Sequence, residues 1–266
     1  MIFLFDLDGT LIYDSSDKIP KKNIKSLQKI KEFGYEPIIA TGRMLSATLK
    51  TIENFNFSEY IISYNGAMVA KLDNGNWKII KHLPIEIETM KIVKQLIKKY
   101  ENKNLTFFLY DIDSLKYYGH EKHIKEYENR SGIKGTSIKN INNINFSSTK
   151  LLVSTDSDTP ELLDDIEREF INHKDSFTVT RSMKHYLEIT KSGINKGTAA
   201  KFIKEKFKDK KIIAFGDSYN DNSMFMESDI SLCMPTTPKS IKNICTEILP
   251  FKEEKSISYG VEKYCK

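Results

Sequence analysis

Cysteine is scarce in this chain: three in 266 residues, at Cys233, Cys245 and Cys265. The number is odd, no pair is spaced CxxC, and nothing resembles zinc-ligand spacing. That excludes a disulfide scaffold and a structural zinc site, and it fits free thiols in a reducing compartment. Long apolar runs are lacking too. No stretch approaches the ~20 residues a membrane-spanning helix needs. The first apolar run has no basic flank and is broken by Asp6. The expectation is a soluble, cytoplasmic protein with no membrane partner. Charge of one sign is also in short supply, since 41 basic and 36 acidic residues leave a net charge of +5. The lysine-rich stretches "KIVKQLIKKYENK" and "KFIKEKFKDKK" read as solvated helix faces, with no interleaved aromatic residues on which bases could stack. Nucleic acid is therefore not an expected partner. Internal repeats and low-complexity linkers are missing as well.

What is present is an alternation of strands and helices. "MIFLFD" is a continuous apolar run that suits a strand buried on both faces. "KKNIKSLQKIKEFG" places Ile24, Leu27 and Ile30 at helical spacing and ends at Gly34. "YEPIIATGR", "MLSATLKTIENF" and "EYIISYNGAMV" continue as strand, helix, strand, and "NKGTAAKFIKEKF", "KKIIAFGDS", "NDNSMFME" and "DISLCM" repeat the pattern near the other end. Such alternation implies parallel pairing with right-handed crossovers. The middle is different. "TFFLYDI", "SLKYYGH", "TKLLVSTD", "FTVTRSM" and "HYLEIT" are β-rich and more polar, with helices "IEIETMKIVKQLIKKY" and "PELLDDIEREFINH" between them. The expected architecture is α/β: a doubly wound parallel-sheet (Rossmann-like) core formed by residues 1–81 and 185–266, with a smaller α/β cap domain inserted at 82–184.

Ligands of open parallel sheets gather outside the carboxyl ends of the strands. "FDLDGT" puts Asp6 and Asp8 at such an end, "ATGR" puts Thr41, Gly42 and Arg43 at another, and "FGDSYND" puts Asp217, Asn220 and Asp221 at a third. Lys196 opens a later helix. Two carboxylates 4 Å apart repel by about 4 kcal/mol at an effective dielectric near 20. Four aspartates against one lysine therefore call for a hard divalent cation with oxygen ligands, most simply Mg2+. A carboxylate can attack phosphorus and form an aspartyl phosphate. A second carboxylate one residue on can protonate the leaving group and later activate water, if the backbone turns it that way. Gly9 permits that turn.

"FDLDGT", "IIATGR", "INKGTA" and "FGDSYND", in this order, resemble the four signature motifs of the haloacid dehalogenase superfamily. The long insertion, "SYNGA" ahead of it, "LEITKSGINKG" after it and the late "SYGVEKY" are similar to the Cof-type, cap-bearing phosphatase branch. The resemblance spans nearly the whole chain. It implies Asp6 as nucleophile and Asp8 as acid/base. Mg2+ would be bound by the carboxylates of Asp6 and Asp217 and the backbone carbonyl of Asp8. Asp221 would support the metal's waters or orient Lys196. Thr41, Lys196, Asn220 and the amides of Leu7 and Gly42 would hold the phosphoryl oxygens.

The expected function is thus a Mg2+-dependent phosphatase of small phosphorylated metabolites, sugar phosphates first. A phosphosugar mutase is the alternative within enzymes. A phosphoacceptor signalling domain is a remote one, because such domains are about half this length and lack the insertion. Arg43 either pairs with a carboxylate or touches substrate, and Asn65 with Gly66 forms a turn that could also reach substrate. Arg181, His185 and Glu188 read as structural, and Met224, Phe225 and Met226 as core or helix packing.

Overall fold

The computed structural model describes residues 1–13, 18–53, 57–156, 158–208 and 210–266. In chain order the first elements are β1 (Ile2–Phe5), α1 (Lys21–Glu32), β2 (Glu36–Ala40), α2 (Leu45–Thr51), β3 (Tyr60–Ser63), β4 (Met68–Asp73) and β5 (Asn76–His82). Then come α3 (Met90–Tyr100), β6 (Leu105–Tyr110), β7 (Leu115–Gly119), α4 (Glu121–Ser131), β8 (Gly135–Ser137), β9 (Lys150–Thr155), α5 (Leu162–Asn172), β10 (Phe177–Met183) and β11 (Tyr186–Lys191). The last are α6 (Lys196–Lys206), β12 (Ile212–Gly216), α7 (Asn222–Met226), β13 (Ile230–Cys233), α8 (Lys239–Lys242), β14 (Glu247–Ile248) and α9 (Glu254–Tyr264). They form two compact units, Met1–Lys81 with Asn195–Lys266, and His82–Ile194.

The first unit is built on an eight-stranded sheet in the order β14-β13-β12-β1-β2-β3-β4-β5. β1 lies between β12 and β2, parallel to both, and all four of its residues are buried. Burial on both faces is why its sequence is a run of apolar residues rather than an alternation. Ile2 and Leu4 pack with Ile38, Ile62, Ala199, Ala200, Ile203, Met224 and Phe225. Phe3 and Phe5 point the other way, and Phe5 stacks on Phe215 with ring centroids 4.6 Å apart. From β1 the chain winds outward through β2 and β3, and the returning chain winds the opposite way through β12, β13 and β14. The strand order therefore reverses at β1, which puts a crevice at the carboxyl ends of β1, β2 and β12.

Beyond β3 the sheet departs from the parallel expectation. β4 runs antiparallel to β3, because the tight turn at Tyr64–Gly66 leaves no length for a crossover. Asn74 and Gly75, at φ 49° and 80°, then make the short turn into β5. Met226 also differs: Met224 and Phe225 are buried, but Met226 is 71% exposed.

The second unit is a six-stranded sheet in the order β10-β11-β9-β6-β7-β8, antiparallel except for β7 with β8. Val93, Leu96 and Ile97 of α3 and Ile166 and Phe170 of α5 pack with Phe107, Leu109, Leu151, Val153, Leu187 and Ile189 of the sheet. The expected boundary between 184 and 185 needs correction. It would cut the β10–β11 hairpin, whose second strand also pairs with β9, and the first unit resumes only at Asn195. Among the described residues no helix is long and apolar enough to cross a membrane.

Candidate active site

β1 delivers Asp6 to the crevice, where its amide donates to Phe215 O of β12 at 2.9 Å. The chain then turns sharply, with Leu11 and Ile12 amides both returning to Leu7 O at 3.0 and 2.8 Å. Gly9 makes the turn possible. Its φ is +84°, and a Cβ there would lie 2.3 Å from Asp217 Oδ2. The turn separates the two carboxylates of "FDLDGT": the Asp6 side chain is 5% exposed and that of Asp8 51%.

Lys196 stands at the first position of α6. Asn195 caps that helix, its side chain accepting from Thr198 N at 2.9 Å. The ammonium is fully buried and donates to Asp6 Oδ1 at 2.5 Å and Asp221 Oδ1 at 2.7 Å. Burial alone would lower its pKa, but the neighbouring Asp221 and Asp6 outweigh burial and hold it above the ordinary lysine value. The other oxygen of Asp221, Oδ2, accepts from Asp217 N at 2.9 Å and Ser218 N at 3.0 Å. Both Asp221 oxygens therefore already have protein donors. The carboxylate both caps the turn after β12 and holds Lys196. Gly216 leaves room for it, since a Cβ there would lie 2.6 Å from Asp221 Cγ.

Asp217 receives a hydrogen bond from Thr10 Oγ1 at 3.3 Å. Burial, and then the charge of Asp221, push its pKa up to about 7. Burial followed by Asp221 also raises Asp6 well above the usual carboxylate range, although Lys196 opposes the shift. One oxygen each of Asp6, Asp217 and Asp221 lie within 4.8 Å of one another. Two buried acids and one partly buried one, with a single lysine, carry excess negative charge, and the donors are all oxygen. That set fits a hard divalent cation such as Mg2+.

A second group of contacts surrounds the first. Arg43 grips Asp8 with two parallel bonds, Nε to Oδ2 at 2.8 Å and Nη2 to Oδ1 at 2.5 Å. Thr41 is buried, its Oγ1 accepts from Arg43 N at 3.1 Å, and its carbonyl accepts from Asn65 N at 3.0 Å. Asn65, in the left-handed region at φ 53°, accepts from Asn220 Nδ2 at 3.2 Å through its side chain. Asn220 Oδ1 is buried with no hydrogen-bond partner among the described residues, so the amide keeps a spare acceptor there, while its nitrogen is the side that donates. Gly42 lies between Thr41 and Arg43 on this loop, and Leu7 sits buried in the turn between the two aspartates.

Residues 3–261 match the model of the haloacid dehalogenase-like hydrolases. The chain belongs to that family, in its Cof-type phosphatase branch. It is 26% identical over 271 residues to the 5-amino-6-(5-phospho-D-ribitylamino)uracil phosphatase YitU of Bacillus subtilis, covering 99% of this chain and 97% of YitU. The crystal structure of TM0651 from Thermotoga maritima is 30% identical, with a TM-score of 0.79 over 98% of this chain and 96% of that one. The subclass IIB sugar phosphatase BT4131 shares the fold at 20% identity, with a TM-score of 0.84 over 99% and 98% of the two chains.

In this member of the haloacid dehalogenase-like hydrolases, hydrogen bonds and ion pairs join Asp6, Lys196, Asp217 and Asp221 in one cluster, and Asp8 with Arg43 in another. Sequence reasoning missed Thr10, Asn195 and Thr51. Thr10 was legible as the last residue of "FDLDGT", and Asn195 as a helix cap one residue before Lys196. Thr51, which accepts from Arg43 Nη1 at 3.3 Å, gave no signal. In the second unit Glu188 pairs with Lys150 at 3.0 Å, and Arg181 with Asp164 and Glu167 at 2.8 and 2.6 Å. His185 lies against Tyr186, with ring centroids 4.3 Å apart.

Proposed function

We propose that this hydrolase is a Mg2+-dependent phosphatase of small phosphorylated metabolites that works through an aspartyl phosphate on Asp6. One observation carries the reading: two carboxylates on a single turn occupy opposite environments. Asp6 is buried against Lys196, and Asp8 is half exposed against Arg43. Paired acids with contrasting surroundings suit contrasting roles.

Asp6 attacks phosphorus, the bond to the leaving oxygen breaks, and Asp8 gives that oxygen its proton. Water then attacks phosphorus and passes a proton to Asp8, while the bond to Asp6 breaks and its carboxylate is restored. Lys196, Asn220, the Thr41 hydroxyl and the amides of Leu7 and Gly42 are the proposed partners of the phosphoryl oxygens, where they would offset charge in the transition state. Mg2+ would be held by the carboxylates of Asp6 and Asp217 and the carbonyl of Asp8, and when bound it supplies positive charge to a phosphoryl oxygen. Asp221 is assigned to holding Lys196, because both its oxygens already accept protein hydrogen bonds.

The substrate proposal follows from what the relatives act on. YitU is named for a phosphate on a ribityl chain and BT4131 for sugar phosphates. Both are phosphate monoesters of polyhydroxylated carbon chains, and that is the class proposed here. The test is inorganic phosphate release from a panel of sugar phosphates, sugar-alcohol phosphates, nucleotides and phosphorylated cofactors with Mg2+. Turnover of sugar or sugar-alcohol phosphates supports the reading. Silence across the panel refutes it.

A further inference from the structure

The turn that follows β3 is strained at successive residues. Tyr64, Asn65 and Gly66 all lie in the left-handed region, at φ 52°, 53° and 97°. Only the last is a glycine, and such outliers persist where the surrounding structure demands them. What demands them here is a set of contacts to three separate segments. The amides of Tyr64 and Asn65 donate to Arg43 O and Thr41 O, both at 3.0 Å, and so tie the turn to the loop after β2. Gly66 abuts the start of α6, since a Cβ there would lie 2.2 Å from Asn195 O. Asn65 is buried, and its Oδ1 accepts from Asn220 Nδ2, in the loop after β12, at 3.2 Å. An amide nitrogen carries two hydrogens, so this bond uses one and leaves the other for a second acceptor. It also sets the orientation of the amide. Turned over, Asn220 would bring its own oxygen against Asn65 Oδ1, and two acceptors would face each other.

We propose that Asn65 is a positioning residue for the phosphoryl grip, holding the Asn220 amide so that its second N–H, and not its oxygen, is offered to the phosphoryl group. This rests on the phosphatase reading above, in which Asn220 is a partner of a phosphoryl oxygen. A phosphoryl oxyanion only accepts, so it takes the hydrogen that Asn65 leaves over. Asn220 Oδ1, buried and without a partner among the described residues, is the end of the amide that such an anion would repel. Asn65 therefore acts through Asn220. The phosphoryl group is what all the esters share, whatever alcohol they carry. Loss of the Asn65 side chain should slow every ester by one factor, and only while Asn220 is present.

The experiment is a double-mutant cycle, with Mg2+, on wild type, Asn65→Gly, Asn220→Ala and the double variant. Glycine adopts a φ of 53° without strain, so Asn65→Gly removes the side chain and keeps the turn. The readouts are kcat/KM for p-nitrophenyl phosphate and for a sugar phosphate, and the affinity for inorganic phosphate by calorimetry. Asn220→Ala is expected to lose about a hundredfold in kcat/KM, the usual cost of one donor to a developing oxyanion. Asn65→Gly should lose about tenfold, by the same factor for both esters, and bind phosphate more weakly. In the double variant the loss should equal that of Asn220→Ala alone. Losses that multiply would mean that Asn65 does not act through Asn220, and would overturn the proposal. Wild-type kinetics in Asn65→Gly would overturn it too. A loss confined to the sugar phosphate would make Asn65 a contact for the alcohol part and overturn it as well. If Asn65→Gly does not fold, Asn65→Asp takes its place in the cycle, because aspartate also tolerates a left-handed backbone. Equal losses with and without Asn220 then overturn the proposal. Wild-type enzyme that neither binds inorganic phosphate nor releases it from any ester refutes the phosphatase reading itself, and this inference with it.

Discussion

Lys196 Nζ lies 2.5 Å from Asp6 Oδ1, although 190 residues separate the two in the chain. The same ammonium touches Asp221, so one buried cation joins the first strand's loop to the loop after β12. Removing one partner of such a buried group costs about 3–5 kcal/mol. Lys196→Met should therefore lower the melting temperature, at about 2–4 °C per kcal/mol for a chain of this size, and abolish turnover. Mg2+ should recover part of the lost stability but none of the activity. A thermal melt with and without Mg2+, beside a phosphate-release assay, checks both halves.

Asp6→Asn should leave the fold intact and end hydrolysis of every substrate, since an amide cannot form the acyl phosphate. Turnover above a few per cent of wild type in the purified variant would remove Asp6 from its assigned role.

Asp8→Asn should damage hydrolysis of sugar phosphates, whose alkoxide must be protonated, far more than hydrolysis of p-nitrophenyl phosphate. Equal losses on the two esters would argue against an acid at this position. The product of the wild-type reaction matters as well. Stoichiometric inorganic phosphate from a hexose phosphate, with no isomeric sugar phosphate, separates a phosphatase from a mutase.

The metal-free protein should show an unusual pH trend. Burial and Asp221 raise Asp217 to about 7, above the ordinary unfolded value of about 3.9. The folded state then holds a proton that the unfolded state has released. The stability this gives is fully present below about pH 4 and lost as pH rises through about 7. With a chelator, the midpoint should fall between about pH 5 and about pH 8, and Asp217→Asn should flatten that fall. Saturating Mg2+ should reverse the trend, because its ligands must be deprotonated. Melts across that range, with chelator and with Mg2+, test the three statements. Equal Mg2+ shifts in the two proteins would show that Asp217 is not a ligand.

Gly9→Ala should fold poorly around the site while leaving the rest of the first unit formed. Its φ of +84° is strained for alanine, and the added carbon would meet Asp217 Oδ2. Mg2+ stabilisation and turnover should both fall sharply, with far-ultraviolet circular dichroism nearly unchanged. Wild-type Mg2+ response in this variant would contradict the close approach.

The strand ends were legible because "IFLF" and "KKIIAFG" are apolar runs that stop abruptly at acids, and such runs need a buried parallel sheet. Lys196 was legible because its "NKG" setting comes just before a helical stretch. The clamp on Asp8 was not, since spacing does not tell whether Arg43 turns toward a carboxylate or toward a ligand. β5 was hidden because "NWKIIKH" lies at the sheet edge, with Ile79 and Ile80 each 40% exposed, and so lacks an apolar signature. α4 was hidden for a related reason. Its sequence "EKHIKEYENRS" has few apolar residues, and its hold on the sheet comes through Ile124 and Tyr127, the latter 5.2 Å from Phe108 between ring centroids. The misjudged boundary at 184 has its own cause. "HYLEIT" reads the same whether it joins the inserted sheet or the core, and only its pairing with β9 and β10 decides.

The insertion leaves the first unit after Lys81, and the chain returns to that unit at Asn195, one residue before Lys196. Every side chain discussed as a candidate for chemistry, from Asp6 to Asn65 and from Lys196 to Asp221, therefore lies outside 82–194. For heredity this makes the gene modular. A recombination event that replaces the middle of the coding sequence as a block, keeping both junctions, exchanges the whole inserted unit without altering one of these candidate side chains. A lineage can thus acquire a new inserted unit in a single step, while the two flanking gene segments stay under separate selection for the chemistry they encode.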